Sequence, residues 1–104
     1  MAILETSHKW VLTSTTAPKA VNIKGYAMSL TFGFETSSGC TATVCVQHRM
    51  GSSAGPYSAL SSQALSTGAF QTQQFLGPLE WVKPRVSDMT AGSTHVITVY
   101  LYGN

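Results

Sequence analysis

A chain of 104 residues is long enough to bury one hydrophobic core and too short for two. Its 13 Ser and 13 Thr outnumber its six Lys and Arg and four Asp and Glu, a balance that favours a hydroxyl-covered β surface over a helical one solvated by Glu and Lys. The formal charge of +2 is scattered except at Lys83 and Arg85, so no basic stripe suits nucleic acid, and no run approaches the roughly 18 apolar residues of a membrane span.

The first predicted strand covers residues 3–13, where Thr6, His8, Trp10 and Leu12 alternate with Ser7, Lys9, Val11 and Thr13. The polar, β-branched stretch that follows, closed by Pro18, reads as a loop or an extended arm. A short strand over residues 20–23 is broken at Lys24 and Gly25. Residues 26–35 carry the clearest period of two, with Tyr26, Met28, Leu30, Phe32 and Phe34 opposed to Ala27, Ser29, Thr31, Gly33 and Glu35. After the turn chemistry of residues 36–39, Cys40, Ala42, Val44 and Val46 alternate with Thr41, Thr43, Cys45 and Gln47, and the two runs are expected to pair as a hairpin.

Residues 49–56 form the most loop-like segment, with Gly51, Gly55 and Pro56 among small residues. Residues 57–65 read as a weak strand and a turn. Residues 69–75 read as a polar edge strand with Phe70 and Phe75 among glutamines. The last third reads as a second hairpin: residues 79–86, a turn-rich loop over 87–93, then residues 94–102, where His95, Ile97, Val99 and Leu101 alternate with Val96, Thr98, Tyr100 and Tyr102. Pro84 cannot donate to a ladder, so the first strand of this pair is expected at an edge or a bulge.

Seven or eight short strands separated by turn signals predict an all-β fold, an antiparallel β-sandwich of jelly-roll-like type. The division expected is an N-terminal strand and polar arm over residues 1–19 and a β-sandwich domain over 20–104. Nothing at the N-terminus resembles a leader, so a soluble protein made in the cytoplasm is expected.

The acids Glu5, Glu35, Glu80 and Asp88 are far apart in sequence, and no Gly-x-Ser-x-Gly elbow occurs, so no catalytic residue and no enzyme is expected. His8, His48, His95, Cys40 and Cys45 lack metal-ligand spacing, so neither metal nor cofactor is expected. Cys40 and Cys45, five apart in one predicted strand, would point to opposite faces and cannot pair within it; reduced, buried thiols are expected.

The segment Gly39-Cys40-Thr41-Ala42-Thr43-Val44-Cys45-Val46-Gln47-His48-Arg49-Met50-Gly51, with Gly55-Pro56-Tyr57 and Leu60-Ser61, resembles the small β-sandwich virion proteins of tailed bacteriophages. So do Gly77-Pro78-Leu79-Glu80-Trp81-Val82-Lys83-Pro84-Arg85-Val86, the turn at Gly92-Ser93, and Ile97-Thr98-Val99-Tyr100-Leu101-Tyr102-Gly103. The likeness spans residues 26–104 and departs from the pattern at Met50-Gly51-Ser52-Ser53, where a more acidic turn is expected. It implies a capsid decoration, cement or fibre component that works by binding.

On that reading the chain sits on the virion as a homotrimer or homodimer, over the major capsid protein, with no nucleic acid or membrane partner. A symmetric oligomer gains avidity from several modest contacts at once, and the arm before Lys19 could reach a neighbour. The interface candidates are Trp81, Lys83 and Arg85 on one strand face, Tyr100 and Tyr102 beside them, and Trp10 and Tyr57, because Trp, Tyr and Arg are enriched at binding hot spots. Trp81 could equally be core with the cations snorkelling at its margins. The alternative is a carbohydrate- or receptor-binding module of a tail or fibre, using Tyr57, Trp81 and Tyr100.

Overall fold

Alternating apolar residues build two antiparallel sheets that face each other across one core. The computed structural model describes residues 6–23, 29–52, 54–60, 62–66, 68–76, 79–90 and 94–103, and among these there are nine strands and no helix. They are β1 (Thr6–Leu12), β2 (Val21–Asn22), β3 (Ser29–Thr36), β4 (Ala42–Arg49), β5 (Ser58–Ala59), β6 (Gln63–Leu65), β7 (Phe70–Leu76), β8 (Trp81–Met89) and β9 (Ile97–Gly103). The count exceeds the expected seven or eight because the weak stretch near Tyr57 divides into β5 and β6. Tyr26 and Met28, expected at the start of β3, lie outside the described residues.

One sheet has the order β1-β9-β3-β7; the other has β2-β8-β4-β5, with β6 also paired to β4. The all-β antiparallel sandwich is therefore as expected, but both hairpins are corrected. β3 and β4 lie in different sheets, and so do β8 and β9. A strand with one apolar face can bury it beside its sequence neighbour or opposite it, and period-two patterning is the same in both cases. Here each connection carries the chain across the core, so the two apolar faces meet instead of lying side by side.

The inner faces carry Leu30, Phe32 and Phe34 from β3, Val44 and Val46 from β4, Val82 and Val86 from β8, and Ile97, Val99 and Leu101 from β9, all buried. Trp10 and Leu12 of β1 join them. β1 pairs with β9 along its whole length, from Thr6 opposite Gly103 to Leu12 opposite Ile97. The polar stretch after β1 returns to it, since Trp10 Nε1 donates to the Lys19 carbonyl at 2.9 Å.

Hydroxyls fasten the end of the sandwich where the chain changes sheets. Thr36, the buried polar residue of the core region, donates through Oγ1 to the Ser66 carbonyl at 2.7 Å and accepts from Ala69 N at 3.0 Å. Ser37 Oγ accepts from Val96 N at 2.9 Å, and Thr90 Oγ1 both donates to the Thr41 carbonyl and accepts from Thr41 N, each at 3.0 Å. These bonds add to main-chain bonds at the strand ends, where Thr90 N also donates to the Thr41 carbonyl and Ala69 N to the Ser66 carbonyl.

Pro84 lies on an edge, as its chemistry requires. β2 covers β8 only at Trp81 and Val82, and beyond them no described strand pairs with the outer side of β8. Val46, opposite Pro84, gives its carbonyl to Leu60 N at 2.8 Å and so faces away from β8. By the alternation of an antiparallel ladder the Pro84 nitrogen points to the open edge, where no donor is needed. A register shift at Thr43 and Val44 inserts Ser87 as a bulge farther along the same edge.

Candidate functional site

The corrected topology separates the expected aromatic and cationic patch into two surfaces on opposite sides of the sandwich. Tyr100 and Tyr102 belong to the outer face of the β1-β9-β3-β7 sheet, whereas Trp81, Lys83 and Arg85 belong to the outer face of the other.

On the tyrosine side, the pairing registers set the surface out in rows. Val11, Thr98, Glu35 and Phe70 lie opposite one another across the four strands, and Lys9, Tyr100, Gly33 and Thr72 form the next row. Tyr102, Thr31 and Gln74 continue it. Val11, Phe70 and Tyr102 are exposed by 58, 57 and 63%, so three of the large apolar side chains that the fold leaves in solvent share this face. Val11 and Phe70 stand on the two edge strands of this sheet and Tyr102 on β9 between them.

A groove of about 370 Å³ runs over β3, floored by Thr31, Gly33 and Glu35 and walled by Tyr100 and Tyr102 on one side and Phe70 and Thr72 on the other. Gly33 shapes it. A Cβ there would lie 3.0 Å from Phe70 Cζ, so the absence of a side chain lets the Phe70 ring lean over the β3 backbone. The Phe70 and Tyr100 rings are 6.4 Å apart and tilted by 55°. Tyr100 OH donates to Glu35 Oε1 at 3.5 Å, a long bond that sets the carboxylate beside the aromatic walls.

The opposite face is mainly basic, with Asp88, opposite Thr43, as its acid. Arg49, Lys83 and Arg85, three of the chain's six cations, line it on β4 and β8, with Arg49 opposite Trp81 and Gln47 opposite Lys83. Two are already engaged. Arg49 donates from Nε to the Ser52 carbonyl and from a terminal nitrogen to the Pro56 carbonyl, both at 2.9 Å, and so holds the loop after β4. Gly51 N donates to Glu80 Oε1 at 3.1 Å from the other side. Gly55, at φ 98°, passes so close that a Cβ would meet the Arg49 guanidinium at 2.9 Å. Lys83 Nζ sits 4.2 Å from the centre of the Tyr57 ring, a cation–π contact. Arg85 is exposed and unengaged among the described residues.

Trp81 resolves to an intermediate position. It is half-buried on the outer face, and its Nε1 is shielded from solvent with no hydrogen-bond partner among the described residues. Trp10 is corrected as an interface candidate: it is only 6% exposed, with His8 packed edge-on against it at 4.5 Å. Its position in the period of two gives it the same inward direction as Leu12. Tyr57 is half-buried under Lys83. The residues the sequence reading passed over are Phe70, Glu35 and Gly33. The signal was present for Phe70: an odd spacing from Phe75 places the two on opposite faces of one strand.

Cys40 and Cys45 are free and buried, and burial pushes the Cys40 thiol up from its ordinary 9.0. Among the described residues no three His, Cys, Asp or Glu side chains come together as a metal site.

No protein-family model matches the chain, and no curated protein does. Among solved structures it is similar to a protein from Bacillus endospore appendages described as forming a novel family of disulfide-linked pili, with a TM-score of 0.49 and 10% identity over 97% of this chain and 88% of that one. A likeness of this size carries no functional argument.

Proposed function

We propose that the chain is a non-enzymatic structural protein that works by binding through its outer sheet faces, as a homo-oligomer on the surface of a larger assembly. The observation that carries this reading is the face where Phe70 and Tyr102 stand exposed at the Tyr100–Glu35 groove and Val11 stands exposed on the edge strand β1. Leaving that much apolar surface in water is unfavourable by about 25 cal/mol per Å² and is recovered when a partner covers it. The finer reading, decoration of a phage capsid with the major capsid protein as partner, rests on the resemblance of the β4, β8 and β9 sequences to small virion proteins. A jelly-roll strand order fits it, since successive strands alternate between the two sheets except at β5 and β6, which stay in the sheet of β4.

The groove itself favours a second reading, a carbohydrate- or receptor-binding module. Aromatic walls with a carboxylate and threonine hydroxyls on the floor can stack a sugar ring and accept from its hydroxyls. Co-sedimentation with intact phage heads, run beside a glycan screen, separates the two. Pelleting with heads that is lost in Phe70→Ala and Tyr102→Ala supports decoration. Saccharide binding lost in the same variants supports the module, and neither result refutes both.

A further inference from the structure

The two outer faces differ in chemistry as well as in position. The groove face offers a carboxylate, Glu35, between Phe70 and Thr98, with one of its oxygens engaged among the described residues, by the long bond from Tyr100. Lys9, in the neighbouring row on the edge strand β1, is the other charge there. The opposite face carries three cations and one acid, Asp88, which lies opposite Thr43 in the row next to Arg85; Arg49 is used by two carbonyls, Lys83 by the Tyr57 ring and Asp88 by the Met89 N–H. Arg85 is left over. It stands on β8 opposite Cys45, beside the stretch of edge that β2 does not cover.

We propose that the groove of one copy receives Arg85 of a second copy, so that the Tyr100–Glu35–Phe70 face stacks on the Arg85 face and the contact repeats from copy to copy. This inference rests on the reading of the chain as a self-assembling structural protein. The occupant is argued from complementarity. A planar guanidinium can lie against an aromatic wall while donating to a carboxylate in the same plane, which an ammonium does less well. The groove supplies both elements within one small volume. Because the two faces are on opposite sides of one sandwich, the contact joins unlike surfaces. Such a contact is heterologous: it leaves a free groove at one end and a free Arg85 at the other, and propagates instead of closing about a twofold. The assembly is then an open stack of copies and not the closed dimer or trimer expected from sequence.

A charge swap tests this. Glu35 and Arg85 are both exposed and neither is bonded into the core, so Glu35→Arg, Arg85→Glu and the double variant should keep the parent's melting temperature. Sedimentation velocity over a concentration series of the full chain reads assembly. The unmodified chain is expected to give a ladder of species beyond the dimer that shrinks as salt is raised. Each single reversal is expected to weaken assembly by about tenfold or more, as when one partner of an interfacial charge pair is lost. The double variant is expected to recover it to within about threefold, the signature of a directly coupled pair. A ladder unmoved by either reversal, a closed dimer, or a double variant no better than the singles overturns this contact while leaving self-assembly standing. A chain that stays monomeric at every concentration overturns both.

Discussion

Thr36→Val removes one buried oxygen and keeps the side-chain shape, so its effect follows from the bonds that oxygen makes. Thr36 Oγ1 donates to the Ser66 carbonyl at 2.7 Å and accepts from Ala69 N at 3.0 Å, in a residue only 4% exposed. Stranding a fully buried donor and acceptor would cost about 1–3 kcal/mol each, an upper bound here because both bonds are only part-buried and Ser66 is exposed. The two are not fully stranded, because Ala69 N also donates to the Ser66 carbonyl at 3.2 Å and Thr36 N still reaches the Ala69 carbonyl at 3.0 Å. The expected loss is therefore about 1–2 kcal/mol in all, not twice the single-group figure. For a domain of this size that corresponds to a fall of roughly 5–10 °C in melting temperature, read by calorimetry or by near-UV circular dichroism. Thr36→Ser, which keeps the hydroxyl and gives up a methyl, is expected to lose only about 1 kcal/mol. A valine variant as stable as the parent, or a serine variant damaged more than the valine one, would refute the assignment of the stability to this hydroxyl.

Trp81→Phe deletes a buried indole N–H that has no partner among the described residues; chemical denaturation should show the variant unchanged or stabilised by up to about 1 kcal/mol, since a polar group paying for its own burial is removed. Arg49→Ala frees the Ser52 and Pro56 carbonyls, and limited proteolysis should show faster cleavage in residues 50–56 with the melting temperature lowered by less than about 5 °C. Cys40, buried and with its thiol pushed up, should resist thiol reagents at neutral pH until the chain unfolds. The sign of its pH dependence follows: folding favours the protonated thiol, so its contribution is whole below the ordinary 9.0 and is lost as pH rises through the higher folded value. A Cys40→Ala variant should therefore lose less stability than the parent on going from neutral to strongly alkaline pH, measured by urea unfolding.

Local sequence determined which face of each strand is apolar. Cβ atoms alternate across any strand whatever lies beside it, and so Leu30, Phe32 and Phe34, and Ile97, Val99 and Leu101, were legible as apolar faces, the last opposed to Tyr100 and Tyr102, whereas in β8 only the tertiary structure turned Val82 and Val86 inward and Lys83 and Arg85 outward. The proline in β8 likewise announced an edge, because a missing N–H is tolerated only where no ladder needs it. Partner choice is not local. The alternation of β8 and β9 is the same whether the two pair side by side or bury their apolar faces against each other, and only the tertiary structure decided for the second. That decision moved Trp81, Lys83 and Arg85 to the opposite side of the molecule from Tyr100 and Tyr102. It also brought Phe70, Gly33 and Glu35, from strands distant in sequence, beside the tyrosines. The composition of each surface was written in single strands, while the site itself comes from main-chain pairing between residues up to 71 positions apart, Thr31 opposite Tyr102.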